Sequence, residues 1–199
     1  MATETVNYTD NEIKTLEGLE AVRKRPGMYI GKLGNGEKPD DGIYTLLKEV
    51  IDNSIDEFSM GFGKVINITI RDNEVTVRDF GRGIPLNSVV DATSKLHTGG
   101  KFDKSVGLNG VGTKAVNALS ESFYVESFRD GESSFASYTQ GKLQDSGKRP
   151  TKEKNGTFIR FKADSELFGD YSYNMEYVET LLKNYSYLKR GLTLNINGT

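Results

Sequence analysis

The chain has 199 residues, 36% hydrophobic and 27% charged, with 26 Lys+Arg against 28 Asp+Glu and a net charge of −2. That size suits one domain with a sizeable core, and the near-balanced charge argues against a nucleic-acid-binding surface of its own. The absence of Cys excludes disulfides and thiolate metal sites, and the single His97 argues against a His-based zinc site or triad. No apolar run reaches the roughly 20 residues of a membrane span, and the polar start, Met1 to Asn11, is not a secretory signal, so a soluble cytoplasmic domain is expected.

Residues 1–12 lack an apolar period and read as an arm carrying Tyr8, followed by one domain over 13–199. Ile13, Leu16, Leu19 and Val22 predict a short helix that Pro26 stops. Gly31 to Gly42 holds four Gly and one Pro and reads as a loop. From about Ile43 to Met60, the residues Ile43, Leu46, Leu47, Val50, Ser54 and Phe58 form a helical stripe. Lys64–Arg71 and Glu74–Asp79 alternate as strands joined at Asp72-Asn73. Five glycines in residues 98–112 precede a helix over Thr113–Leu119. Strands are then expected over Ser122–Arg129, Ser134–Thr139 and Thr157–Lys162, with a solvated hairpin loop around Pro150. A helix over Asn174–Lys189 and a strand through Leu192, Leu194 and Ile196 close the chain. Adjacent strands without intervening helices predict an α+β fold: two layers, a mostly antiparallel mixed sheet with helices on one face.

Three places carry candidate chemistry. On the long helix, Glu49, Asn53 and Asp56 fall within an arc of about 60° opposite the apolar stripe, flanked by Asp52 and Glu57. This is either a solvated face or an acidic cluster that, with the Asn carboxamide, holds Mg²⁺ and orients a water. Asp79 alternates in phase with Val75 and Val77 on the core side of its strand. Either the strand ends at Arg78 and Asp79 opens a turn, or Asp79 is a buried acceptor for an amino group such as that of adenine. Gly81-Arg82-Gly83-Ile84-Pro85 follows it and lets a ring approach the backbone. Gly107-Leu108-Asn109-Gly110-Val111-Gly112 leads into a helix and offers amides to an anion, with Lys101 upstream. Its spacing is neither that of the dinucleotide fingerprint nor that of a Walker loop. Asp79-Phe80-Gly81 spells the kinase magnesium motif, but no H-R-D or V-A-I-K segment accompanies it. His97 is assigned no catalytic role.

In this order the segments resemble the GHKL (Bergerat-fold) ATPases, a group that includes Hsp90, MutL, histidine kinases and the B-type subunits of type II topoisomerases. The stretches Arg23-Lys24-Arg25-Pro26-Gly27-Met28-Tyr29-Ile30-Gly31, Glu49 to Glu57, Leu96 to Phe102 and Val116 to Ser120 are similar to the bacterial gyrase B and topoisomerase IV B group. The resemblance spans essentially the whole chain and leaves gyrase and topoisomerase IV undivided. It implies an ATP-hydrolysing domain that drives DNA strand passage, with ATP and Mg²⁺ as cofactors. Its partners would be DNA and an A-type subunit in a heterotetramer, with homodimerisation on ATP binding and no membrane.

By the same resemblance Glu49 is the general base and Asn53 the Mg²⁺ ligand, with Asp56 and Glu57 beside them at the nucleotide. Asp79 accepts the adenine amine, helped by Thr157, while Gly81, Gly83, Ile84 and Pro85 frame the base. Lys101 and Gly107, Leu108, Asn109, Gly110, Val111 and Gly112 close over the phosphates. Arg82 and Arg129 rim the pocket where inhibitors of this family bind, and Tyr8 reaches into the site of a partner copy, with Tyr29 near it. The sequence departs from this group in a short lid (Asp103 to Val106), in Asn109 for a common His, in Phe80 for a second Asp and in a longer Gly31–Gly42 loop. In the family a lysine of a further domain contacts the γ-phosphate. The 199 residues alone are therefore expected to bind nucleotide and hydrolyse it very slowly. A different GHKL member and a non-enzymatic module with a degenerate pocket are the competing readings.

Overall fold

The computed structural model describes residues 19–96 and 112–199. Tyr8, Ile13, Leu16, His97, Lys101 and residues 107–111 lie outside them, so the arm, the short lid and most of the glycine-rich segment are not part of the geometry below.

Seven strands are described: β1 (Val65–Arg71), β2 (Glu74–Asp79), β3 (Ser120–Arg129), β4 (Glu132–Thr139), β5 (Lys142–Pro150), β6 (Gly156–Ala163) and β7 (Thr193–Ile196). They make one mixed sheet in the order β5-β4-β3-β6-β2-β1-β7. Only the β1–β7 pair is parallel; the rest are antiparallel. The expected α+β class therefore holds. Three hairpins share one local cause. Asp72-Asn73, Asp130-Gly131 and Gln140-Gly141 all have positive φ at both positions, the two-residue turn whose twist matches that of the flanking strands.

The helical residues are 19–24 (α1), α2 (Gly27–Ile30), α3 (Gly42–Ser59), α4 (Val89–Ser94), α5 (Gly112–Ala118), α6 (Ser165–Phe168) and α7 (Met175–Leu188). Ile66, Ile68, Val75, Val77, Phe123, Val125, Ile159 and Phe161 point inward from the sheet and are buried with the apolar side of α3. The buried stripe on α3 turns toward Ile51 and Ile55, and Phe58 is only half-buried. Asn174 caps α7 by accepting from the Glu176 amide, and Val178 and Leu182 join the core.

The structure corrects one local expectation and adds three short helices. The stretch around Pro150 is not a loop but the edge strand β5, paired with β4 from Lys142↔Thr139 to Pro150↔Glu132. It is exposed along almost its whole length, so no apolar alternation announced it, and its charged residues suit an unpaired edge. Pro26 stops α1 as expected, but its fixed φ also starts α2 immediately. The short helices α4 and α6 carry too few residues to show a period.

Candidate functional site

The long helix α3 and strand β2 bring the first two candidate regions together. Asp79 stays in β2, and its alternation with Val75 and Val77 carries its side chain inward, where the residue is 6% exposed. Burial pushes its carboxyl above the ordinary range, against the opposing effect of hydrogen bonds from the Gly81 amide, Ser54 and the Thr157 amide. Oδ1 accepts from the backbone amides of Gly81 at 3.0 Å and Thr157 at 3.2 Å. Oδ2 accepts from Ser54 Oγ at 2.8 Å. The carboxylate is thus held in a small cleft lined by Val50, Asn53, Ser54, Glu57, Val77, Gly83, Ile84, Thr157 and Ile159. Apolar walls with one fixed acceptor suit a flat heteroaromatic ring bearing an amine.

One turn up the same helix lies the acidic face. It is not a solvated face: Glu49, Asn53 and Asp56 are all half-buried, and the start of α5 packs against Glu49 and Asn53. Asn53 Nδ2 donates to Thr113 Oγ1, which turns its carbonyl oxygen the other way. At Gly112 any Cβ would collide with Glu49 Oε2, so glycine is what permits α5 to approach this carboxylate. Among the described residues Glu49 has no hydrogen-bond or ion-pair partner. Burial raises its carboxyl, the neighbouring Asp52 raises it further, and Lys48 pulls it down. A half-buried carboxylate with a raised affinity for protons is suited to receive one from water.

The flanking acids, by contrast, are paired. Asp52 is bound by Lys48 at 2.6 Å and by the Tyr185 hydroxyl of α7. Glu57 is gripped by Arg82, whose Nη2 donates to Oε1 and whose backbone amide donates to Oε2, both at 2.9 Å. Desolvation raises the Glu57 carboxyl, but the hydrogen bonds and charge of Arg82 outweigh it and hold it below the usual range. The Arg82 guanidinium in turn lies over the Phe62 ring at 4.6 Å. Glu57 and Arg82 therefore form a rim clamp at the mouth of the cleft, with Arg129 close to Gly83 on the same side. Pro85 caps a short 3₁₀ turn behind Ile84, whose carbonyl accepts from Ser127 Oγ at 2.6 Å.

Of the residues expected from the sequence, Asn53, Glu57, Asp79, Gly83, Ile84 and Thr157 line this cleft, Gly81 and Arg82 bind its carboxylates, Arg129 lies against Gly83 and Glu49 against Gly112, Pro85 follows Ile84, and Asp56 shares the helix face of Glu49 and Asn53. Tyr8, Lys101, Gly107, Leu108, Asn109, Gly110 and Val111 lie outside the described residues. Thr157 contributes through its backbone amide, a role its side chain does not signal. Three further residues are visible only in the fold. Ser54 is concealed inside the apolar stripe. Thr113 has no spacing that distinguishes it at the helix start. Lys114, 7% exposed beside the end of the glycine-rich segment, has its ammonium pushed down by burial, with Asp91 opposing.

The arrangement is an α+β layer with an inward carboxylate at a strand end beside a helix face of acids and one amide. Comparison with known proteins places it. The family described as histidine kinase-, DNA gyrase B- and HSP90-like ATPase matches residues 39–166, and the chain belongs to that family. It is 50% identical over 198 residues to the B-type subunit of DNA topoisomerase 4 from Borreliella burgdorferi, covering 97% of this chain and 33% of that protein. It is 43% identical to the B-type subunit of DNA gyrase from Mycolicibacterium smegmatis, covering 95% of this chain and 29% of that one. Its structure matches the 43K ATPase domain of Thermus thermophilus gyrase B, solved in complex with an aminocoumarin. The TM-score is 0.79 and the identity 33%, over 94% of this chain and 51% of that one. The chain thus spans about a third of the length of the curated relatives it matches. Among the described residues no helix is long and apolar enough to cross a membrane.

Proposed function

We propose that residues 13–199 form the ATP-binding and ATP-hydrolysing unit in the B-type subunit of a bacterial type II DNA topoisomerase, of gyrase or topoisomerase IV type, preceded by an arm at 1–12. The observation that carries this reading is Asp79, fixed by three donors in a cleft that Asn53 also lines, with Glu49 one helical turn before Asn53 on α3. Asp79 accepts the adenine amine, and Gly81, Gly83, Ile84 and Pro85 shape the slot for the ring. Glu49 polarises the water that attacks the terminal phosphate and takes its proton. Lys101 and the 107–112 segment close on the phosphates. The work of the chain is to align and exclude water rather than to form bonds.

The donor set fits Mg²⁺. Asn53 brings a side-chain carbonyl oxygen, a hard donor, while its Nδ2 is held by Thr113. Among the described residues no group of three His, Cys, Asp or Glu could hold a metal alone, which suits a cation carried in largely by phosphates and water. When bound there, Mg²⁺ would neutralise the phosphate charge that builds during transfer.

In the longer protein the partners would be DNA and an A-type subunit in a heterotetramer, in the cytoplasm, with ATP-dependent pairing of two copies through the arm and Tyr8. The aminocoumarin complex of the Thermus relative supports pocket-directed inhibitors, with Arg82 and Arg129 at the rim. The test is calorimetric titration with a non-hydrolysable ATP analogue and Mg²⁺, beside Asp79→Asn. Binding that the substitution abolishes supports the reading; binding by neither protein defeats it.

A further inference from the structure

Arg78 lies behind the cleft, on the sheet face away from α3. Its neighbour in the chain, Asp79, points into the cleft, so strand alternation sends Arg78 the other way. There it is sandwiched between two rings. Its guanidinium carbon is 4.3 Å from the centroid of Phe80 and 4.6 Å from that of Phe128, and its side chain is 13% exposed. Phe80 is the residue that departs from the family's second Asp. The aromatic ring and the arginine make a pair that an aspartate at position 80 would not make in this form.

The guanidinium spends its donors on backbone. Nη1 donates to the carbonyl of Asp79, and Nη2 donates to the carbonyl of Lys154 at 2.6 Å. Glu153 lies 3.7 Å from Nη2. One side chain therefore stitches the end of β2 to the 153–156 connection that leads into β6. These two segments carry the backbone amides that hold Asp79 Oδ1: Gly81, two residues past Asp79, and Thr157, the second residue of β6. Between them Gly156 sits so close that any Cβ would collide with the Asp79 carbonyl and with Arg78 Nη1. The close approach that Arg78 bridges is thus built into the backbone.

We propose that Arg78, stacked between Phe80 and Phe128, is a positioning residue for adenine recognition, locking the two backbone segments whose amides aim the Asp79 carboxylate. Its own side chain does not line the cleft. The inference rests on Asp79 as the adenine acceptor and adds what sets its aim in this chain.

The experiment compares wild type, Arg78→Gln, Arg78→Lys and Arg160→Gln. Arg160 is exposed on the same sheet face over Tyr124 and serves as the control. Amide hydrogen exchange is followed at Gly81 and Thr157 without ligand, with Ile68 of β1 reporting on the sheet as a whole. Affinity for a non-hydrolysable ATP analogue with Mg²⁺ is measured by calorimetry. In both Arg78 variants the two amides should exchange about tenfold faster with Ile68 unchanged, and affinity should fall about tenfold. Arg160→Gln should move neither. Should Arg78→Gln fail to fold, Arg78→Lys, which keeps the charge but loses the fork, decides. Unchanged exchange at Gly81 and Thr157, or equal acceleration at Ile68, overturns the inference, the latter by reducing Arg78 to a fold residue. Wild type that fails to bind the analogue defeats the nucleotide reading instead, even where the amides respond to Arg78.

Discussion

Ser54 Oγ donates to Asp79 Oδ2 at 2.8 Å, joining the middle of the long helix to the inner end of a strand 25 residues later. Both residues are buried, at 4% and 6% exposure. This bond fixes the carboxylate plane from the helix side, while two backbone amides fix it from the sheet side. Ser54→Ala should lower stability by about 1 kcal/mol, the usual net worth of a buried hydrogen bond, and weaken nucleotide binding severalfold without abolishing it. Urea denaturation and calorimetry of the same variant check the two parts.

The raised carboxyl of Asp79 gives a pH dependence with a definite sign. Between the ordinary 3.8 and its higher value in the fold, the folded state holds a proton that the unfolded state has lost. Stability from this group is therefore full at low pH and declines as pH rises through the folded value. Nucleotide binding runs oppositely, because only the ionised form accepts the adenine amine without competing donors. The stability gap between Asp79→Asn and wild type should widen in favour of the variant from acid toward neutral pH, as read by denaturation at several pH values. A constant gap would remove the argument.

Glu49→Gln should bind the ATP analogue close to normally and lose hydrolysis by about 10²–10⁴-fold, the range for a general base. Asp52 contributes to the raised carboxyl of Glu49, so Asp52→Asn should move the acidic limb of the pH–rate profile to lower pH. A profile that stays in place would separate the two acids.

Gly112→Ala places a methyl group onto Glu49 Oε2. The carboxylate or the start of α5 must shift, and turnover should fall far more than affinity, since a misplacement of about 1 Å can lower rate 10²-fold. Steady-state hydrolysis set beside analogue binding reads the difference.

Arg82→Ala removes the partner of Glu57 at an exposed rim. Stability should change by less than about 1 kcal/mol, as for most surface pairs. Affinity for an aminocoumarin should fall more than that for nucleotide, if the rim serves inhibitors as proposed. Parallel titrations with both ligands decide it.

How much is legible in the chain alone differs from place to place for physical reasons. The run Ile66, Ile68, Ile70 has the strand period, the α3 stripe has the helical period, and Asp79 in phase with Val75 and Val77 marks itself as a carboxylate on the wrong side of a strand. Local spacing suffices for such signals, and it produces the α+β class, the long helix, five of the strands as runs with a period, the closing strand and the acids around the cleft. Edge strand β5 has no buried face, so nothing in its pattern distinguishes it from a loop. The aim of Asp79 depends on Ser54, Gly81 and Thr157, and two of these act through backbone amides that carry no residue code. Glu57 has no visible partner until the loop after β2 brings Arg82 back over 25 residues. The sequence by itself determined the inward faces of β1, β2 and most of α3, because these follow from period alone. Only the tertiary structure decided which of them meet, because the partners of Asp79, Glu49 and Arg78 come from segments far apart in the chain, and close packing selects them.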